Sequence, residues 1–200
     1  GGDGIDGLRG DDGDDALDGG AGDDILVGDA DGQIGGVGGS DILIGGAGND
    51  TLVGGGGQDT YIFNLGDGLD TIVEGVGEGN RLRFGGGIDS ASVTLGIEEG
   101  DTLLVRVGAS GNEVRITGFG VQTPDGAHPI DSFEFADGTV LSYGQLLVRG
   151  FQHFGTSGGE SLMGTEFIDR IAAGAGNDAI TGLGGADRLL GEDGHDNMDG

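Results

Sequence analysis

Residues 45–53 (GGAGNDTLV) and 54–62 (GGGGQDTYI) obey one rule, Gly-Gly-x-Gly-x-Asp-x-U-x, where U is a large apolar residue. Two nine-residue units laid end to end constrain the chain more than any other feature. The glycines permit positive φ and a tight turn where a Cβ would clash. Such a turn gathers backbone carbonyls, and the aspartate (Asp50, then Asp59) adds an anionic oxygen beside them. The closing x-U-x is a short strand with one side chain turned inward, Leu52 and Tyr61 here. A single unit cannot bury its own apolar residue, so the rule makes sense only as a stacked array.

In-phase copies fill the N-terminal third of the chain. Residues 1–9, 10–18 and 19–27 place Asp6, Asp15 and Asp24 over Leu8, Leu17 and Leu26. Residues 28–35 (GDADGQIG) are one residue short, with Gln33 in the carboxylate position, and read as a bulged coil with a weak site. Their DADG lacks the spaced oxygens and terminal Glu of an EF-hand loop. Phase returns at 36–44 with Asp41 and Leu43 and continues to Asp70 and Ile72; Asn80 and Leu82 mark a decayed last copy. A second run begins near Gly155. It puts Glu160, Asp169, Asp178, Asp187 and Asp196 in the acidic position, with Ile171, Ile180, Leu189 and Met198 in the core positions. Phe167 replaces the fourth-position glycine in the Asp169 copy, which predicts a re-formed turn there.

These copies resemble the RTX (haemolysin-type) calcium-binding nonapeptide of secreted toxins, proteases, lipases and adhesins. The resemblance implies a parallel β-roll with two nonapeptides per coil and Ca²⁺ between successive turns. Carboxylates eighteen apart then share a side, giving one ladder of Asp6, Asp24, Asp41 and Asp59 and another of Asp15, the Gln33 position and Asp50. In the second run Asp178 pairs with Asp196, and Asp169 with Asp187. The expected ligands are Asp6, Asp15, Asp24, Asp41, Asp50, Asp59, Asp70, Asp169, Asp178, Asp187 and Asp196. Turn carbonyls such as those of Gly45 and Ala47 complete each shell. The donor set argues the same independently, since hard oxygens with no Cys and three His suit several Ca²⁺ ions rather than zinc or copper.

Between the runs the grammar changes. From about Phe84 glycine thins, Pro124 and Pro129 appear, and five of the eight arginines fall between Arg81 and Arg149. Alternating stretches at 92–95, 102–107 and 113–119, separated by EEGD and GASGN, predict antiparallel strands. Residues 130–142 read as a hairpin about Ala136-Asp137-Gly138, followed by a short helix capped by Ser142. Phe84, Phe119, Phe133 and Phe135 offer a small core that closes the roll. NRLRFGGGI (80–88) and FEFADGTVLSYGQLL (133–147) resemble the haemolysin-type calcium-binding-protein-related domain. The expected fold is therefore all-β, with a first β-roll at 1–79, an antiparallel capping block at 80–150 and a second, truncated roll at 151–200.

A net charge of −28 with 52 glycines and no lysine opposes binding to nucleic acid and anionic membranes. It also predicts an unfolded chain when metal is absent. No apolar run reaches the ~20 residues of a membrane span. Without cysteine, metal must take the place of disulfides. Gly155-Thr156-Ser157-Gly158-Gly159 matches G-x-S-x-G by composition, but it falls inside a repeat turn rather than between strand and helix. His128, His153 and His195 show no partner in sequence, so no enzymatic activity is expected.

The chain starts and stops in phase, as a piece of a longer repetitive protein would. The RTX resemblance implies a calcium-binding module that folds after type I secretion and stabilises a larger extracellular or cell-surface protein of a Gram-negative bacterium. Its partners are then Ca²⁺ and the rest of the parent chain. Two other readings are an adhesin module for polysaccharide or a cell surface, and an accessory domain of a secreted hydrolase.

Overall fold

The computed structural model describes residues 1–29, 38–76, 78–98, 101–108, 111–119 and 127–200. Gln33, Pro124 and the middles of the EEGD and GASGN turns lie outside the described residues. The first run forms β1 (Gly2–Asp3), β2 (Gly7–Arg9), β3 (Ala16–Ala21), β4 (Ile25–Val27), β5 (Ile42–Ala47), β6 (Thr51–Val53), β7 (Thr60–Phe63) and β8 (Leu69–Ile72). Next come β9 (Arg81–Phe84), β10 (Val93–Glu98), β11 (Thr102–Val107), β12 (Asn112–Ile116), β13 (Ser132–Glu134), β14 (Val140–Ser142) and the helix α1 (Tyr143–Leu147). The chain then adds β15 (Phe151–Phe154), β16 (Ser161–Met163), β17 (Asp169–Ala172), β18 (Ala179–Thr181), β19 (Arg188–Leu190) and β20 (Asn197–Asp199).

Successive strands of the first run alternate between two parallel stacks. β1, β3, β5, β7 and β9 lie side by side on one; β2, β4, β6 and β8 on the other. The chain is all-β and coils as a parallel β-roll. Register follows the apolar beat. Leu17, Leu43, Tyr61 and Leu82 align across one stack, and Leu8, Leu26, Leu52 and Ile72 across the other. Each row points inward because alternate strand residues face opposite ways. Both rows become fully buried only from the second coil onward, since Leu8 and Leu17 have no coil beneath them. The turns demand glycine at fixed places: Gly46 has φ of 99°, and a Cβ there would sit 2.0 Å from the Gly20 carbonyl.

The coil boundaries differ from the ladder expected above. β5 pairs with β3, and β6 with β4, so Asp41 stacks on Asp15 and Asp50 on Asp24. Both steps are 26 residues, eight more than a regular coil. The reason lies at Gly28, which occupies the first-glycine place of the Asp41 turn, 1.9 Å from the Asp41 Oδ2 if given a Cβ. Gly28 and Asp41 therefore share one stacking position, and the eight extra residues of the step lie between them.

β10, β11 and β12 form the expected antiparallel meander, and β13 and β14 the expected hairpin. The meander continues the ten-stranded sheet, β12 pairing parallel with β8 and β10 parallel with β15. β13 likewise extends the other stack beside β9. Phe84, Phe119, Phe133 and Phe135 are all buried, in one cluster running from Leu26 to Phe151. Phe84 stacks on Phe135 at 4.8 Å between ring centroids. α1 starts with a reciprocal cap: Gln145 donates its backbone N–H to Ser142 Oγ, and Ser142 donates its own to Gln145 Oε1. In the second run β15, β17 and β19 extend the ten-stranded sheet, while β16, β18 and β20 make their own. Ile171, Ala173 and Ile180 form a small separate core; Met198, placed there by sequence, is half exposed because no described coil lies beyond it. The G-x-S-x-G segment is a turn between β15 and β16, with Ser157 exposed and no helix after it.

Candidate metal centres

Each stacked aspartate divides its two oxygens between two tasks. Oδ1 accepts the backbone N–H of the equivalent residue one coil earlier. On one side Asp24 takes the Asp6 amide at 2.7 Å, Asp50 that of Asp24 at 2.7 Å, and Asp70 that of Asp50 at 3.1 Å. On the other, Asp41 takes Asp15, Asp59 takes Asp41, and Asn80 takes Asp59, each at 2.8 Å. The second run repeats the pattern through Glu160 to Asp178, Asp178 to Asp196 and Asp169 to Asp187.

Oδ2 has no such work. In Asp15, Asp24, Asp41, Asp50, Asp59, Asp70 and Asp178 it is sequestered from solvent, and no hydrogen-bond donor among the described residues reaches it. A buried anionic oxygen without a donor is costly unless a cation sits beside it. For Asp15, Asp24, Asp41, Asp50 and Asp59 the space beside it is kept open by the first glycine of the repeat. A Cβ on Gly19 would meet the Asp24 Oδ2 at 2.5 Å and the Gly45 carbonyl of the next coil at 2.4 Å. A Cβ on Gly28 would meet the Asp41 Oδ2 and the Gly54 carbonyl at 1.9 and 2.4 Å. A carboxylate and a next-coil carbonyl thus converge on one cradle, and the all-oxygen donor set suits Ca²⁺. Gly45 is placed for such a role toward Asp24. Ala47 instead accepts the Gly22 N–H at 2.7 Å.

Not every acidic position fits. Asp169 has both oxygens engaged: Oδ2 accepts the Thr165 N–H at 2.6 Å and the Thr165 hydroxyl at 2.9 Å, and Oδ1 lies 2.8 Å from His153 Nε2. His153, which has no evident partner in sequence, therefore has one in space. Glu160 is closed similarly, by the Thr156 N–H and hydroxyl. At Asn80 the second ladder ends on an amide, whose Nδ2 donates to Glu74 Oε2 at 2.7 Å and to the Pro129 carbonyl at 3.1 Å. Protein donors fill these three places. Asp6, Asp187 and Asp196 belong to the outermost described coils and are only half buried.

The RTX calcium-binding nonapeptide repeat family model matches residues 1–32, 35–72, 154–189 and 174–200, together more than half of the chain. The chain belongs to the RTX calcium-binding repeat family. Residues 103–145 match the haemolysin-type calcium binding protein related domain. A comparison with curated proteins finds no match. The break between the first two RTX matches falls between Gly28 and Asp41, where the step is eight residues longer than a regular coil. As an RTX chain it is a calcium-binding module with several repeat sites, and the repeat is typical of secreted proteins.

The RTX ladders carry a charge problem that pH exposes. Burial pushes the Asp59 carboxyl up to about 7, with Glu74 and Asp41 adding repulsion. Burial pushes Asp70 to about 8, with Asp50 and Asp67 acting the same way. Asp41 and Asp50 are raised from the same main cause. A carboxyl raised on folding binds more protons folded than unfolded, so its stabilisation is complete below the unfolded value of about 4 and lost as pH climbs through 7 to 8. In metal-depleted buffer, acidifying the chain from about pH 8 to about pH 5 is therefore expected to increase β-structure. Far-UV circular dichroism checks this; a fall in β signal on acidification would contradict it.

Proposed function

We propose that this chain is a folding and stability segment of a larger secreted protein, its repeat arrays unfolded where calcium is scarce and folded where it is abundant. The observation that carries the reading is the set of seven sequestered Oδ2 atoms with no donor. All but Asp15 hold the preceding coil through Oδ1, and Asp15, Asp24, Asp41, Asp50 and Asp59 present Oδ2 toward the first glycine of their repeat. Adjacent coils lie ~4.8 Å apart, so ionised carboxylates repel along both ladders. Against this the array offers one inward side chain per nonapeptide, too little to offset chain entropy. Ca²⁺ supplies the positive charge and the oxygen coordination that link one coil to the next, so binding energy becomes folding energy.

The ligands in this reading are the aspartates with a donorless Oδ2, namely Asp15, Asp24, Asp41, Asp50, Asp59, Asp70 and Asp178, with Asp6, Asp187 and Asp196 completing the outer coils. Low intracellular calcium keeps the arrays unfolded for passage through a type I secretion channel of a Gram-negative bacterium, and calcium outside folds them. A calcium titration followed by circular dichroism tests this. Cooperative gain of β-structure is expected on the order of 10⁻⁴–10⁻³ M. Full β signal in excess chelator would overturn the reading.

A further inference from the structure

Five of the eight arginines are spent on ion pairs: Arg9 with Asp11, Arg81 and Arg83 with Glu134, and Arg106 and Arg115 with Glu113. The other three, Arg149, Arg170 and Arg188, make no ion pair among the described residues, and they cluster. β15, β17 and β19 run parallel with Gln152, Arg170 and Arg188 in one cross-strand row, and Phe154, Ala172 and Leu190 in the next. Both rows face away from the small core, which takes Ile171 from between them. Phe154 is 69% exposed and Leu190 39%. Two adjoining concavities of about 230 and 240 Å³ share Gln152 and Arg170; Arg188 borders one and Arg149 the other. Neither is lined by a single carboxylate, in a chain with 36 acidic residues.

We infer that this face binds an acidic polysaccharide, a chain of uronic-acid sugars lying across the strands. A guanidinium presents a planar fork of donors suited to a carboxylate. Arg170 and Arg188, on hydrogen-bonded neighbours, repeat at ~4.8 Å, a step close to that of successive sugar rings. Exposed Phe154, with Ala172 and Leu190 beside it, gives a ring an apolar surface, and the Gln152 amide is placed for a hydroxyl. Sites of this kind are concave and apolar with a few placed polar groups. An extended acidic peptide fits less well, because its backbone brings no sugar ring to the exposed face of Phe154. Charge complementarity confines the polyanion to this face, because the rest of the chain repels it. The site lies on folded coils of the second run, so it is tested with calcium present.

Calorimetry on the 200-residue chain in saturating calcium, titrated with a short glucuronic-acid oligosaccharide, is the decisive experiment. A neutral glucan of equal length and an oligoglutamate serve as competitors. Binding of the uronic-acid oligomer alone is expected. It should weaken at least ~10-fold when Arg170 and Arg188 are both changed to Ala, and measurably with Phe154→Ala, while Arg9→Ala leaves it unchanged. Arg170, Arg188 and Phe154 are exposed and their side chains hold no described ion pair, and circular dichroism would confirm that the variants fold. No binding, equal binding of oligoglutamate or glucan, or affinity indifferent to the arginine changes would each overturn the proposal.

Discussion

After chelation of calcium, the backbone amides of β2 through β7 are expected to exchange with deuterium within the dead time of the measurement, while those of β11 and β12 stay protected. The two regions are stabilised by different means. The array buries one side chain per nonapeptide and stacks carboxylates whose Oδ2 atoms have no donor. The middle strands bury Leu103, Val105, Val107, Val114 and Ile116 together with Phe119, Phe133 and Tyr143, and no ladder aspartate lies within them. Apolar burial of that kind, worth ~1.5–3 kcal/mol for each large side chain, does not depend on metal. Asn80, with its amide between Glu74 and Pro129, forms a metal-free seam between the two regions. Restoring calcium should return protection to β2–β7. Arrays that stay protected in chelator would refute the coupling; loss of protection in β11 and β12 as well would refute the seam.

Replacing Asp50 by Ala is expected to raise the calcium midpoint several-fold and to lower the number of ions bound. Asp50 Oδ1 satisfies the buried amide of Asp24, and leaving such an amide unpaired costs about 1–3 kcal/mol. The same change removes one donorless oxygen. Asp50→Asn separates the two effects, since it can keep the ladder bond but loses the charge. Its Nδ2 lacks the acceptors that Glu74 and Pro129 provide at Asn80, so the variant should still lose an ion while unfolding less readily than Asp50→Ala. Asp169→Asn, by contrast, should disturb the contacts with Thr165 and His153 and leave the ion count unchanged. Ion counting by calorimetry beside thermal melts distinguishes these outcomes. An unchanged count in Asp50→Asn would remove Asp50 from the ligand set, and a reduced count in Asp169→Asn would restore Asp169 to it.

The roll was legible because its period is written in every copy. Leu17, Leu43, Tyr61 and Leu82 align in space as their positions in the repeat require. The ladder assignment was not, because residues 28–44 carry glycines and an aspartate that imitate one short and one regular copy. Only strand pairing shows that Gly28 and Asp41 share one stacking position. The closures at Asp169 and Asn80 were hidden for a related reason. His153 and Pro129 reach them from elements 16 and 49 residues away, and no local pattern announces such contacts. The meander was readable from its alternation, whereas its parallel joins to β8 and β15 depend on neighbours that sequence spacing does not name.

Eight residues beyond the regular step separate Gly28 from Asp41, yet the stack on both sides keeps its contacts, with the Asp41 and Asp50 bonds at 2.8 and 2.7 Å. A roll of this kind measures itself by amide-to-carboxylate contact, not by counting residues along the chain. Foreign sequence grafted between Gly28 and Asp41 should therefore ride on the scaffold as passenger, displayed without resetting the pitch of the coils that carry it.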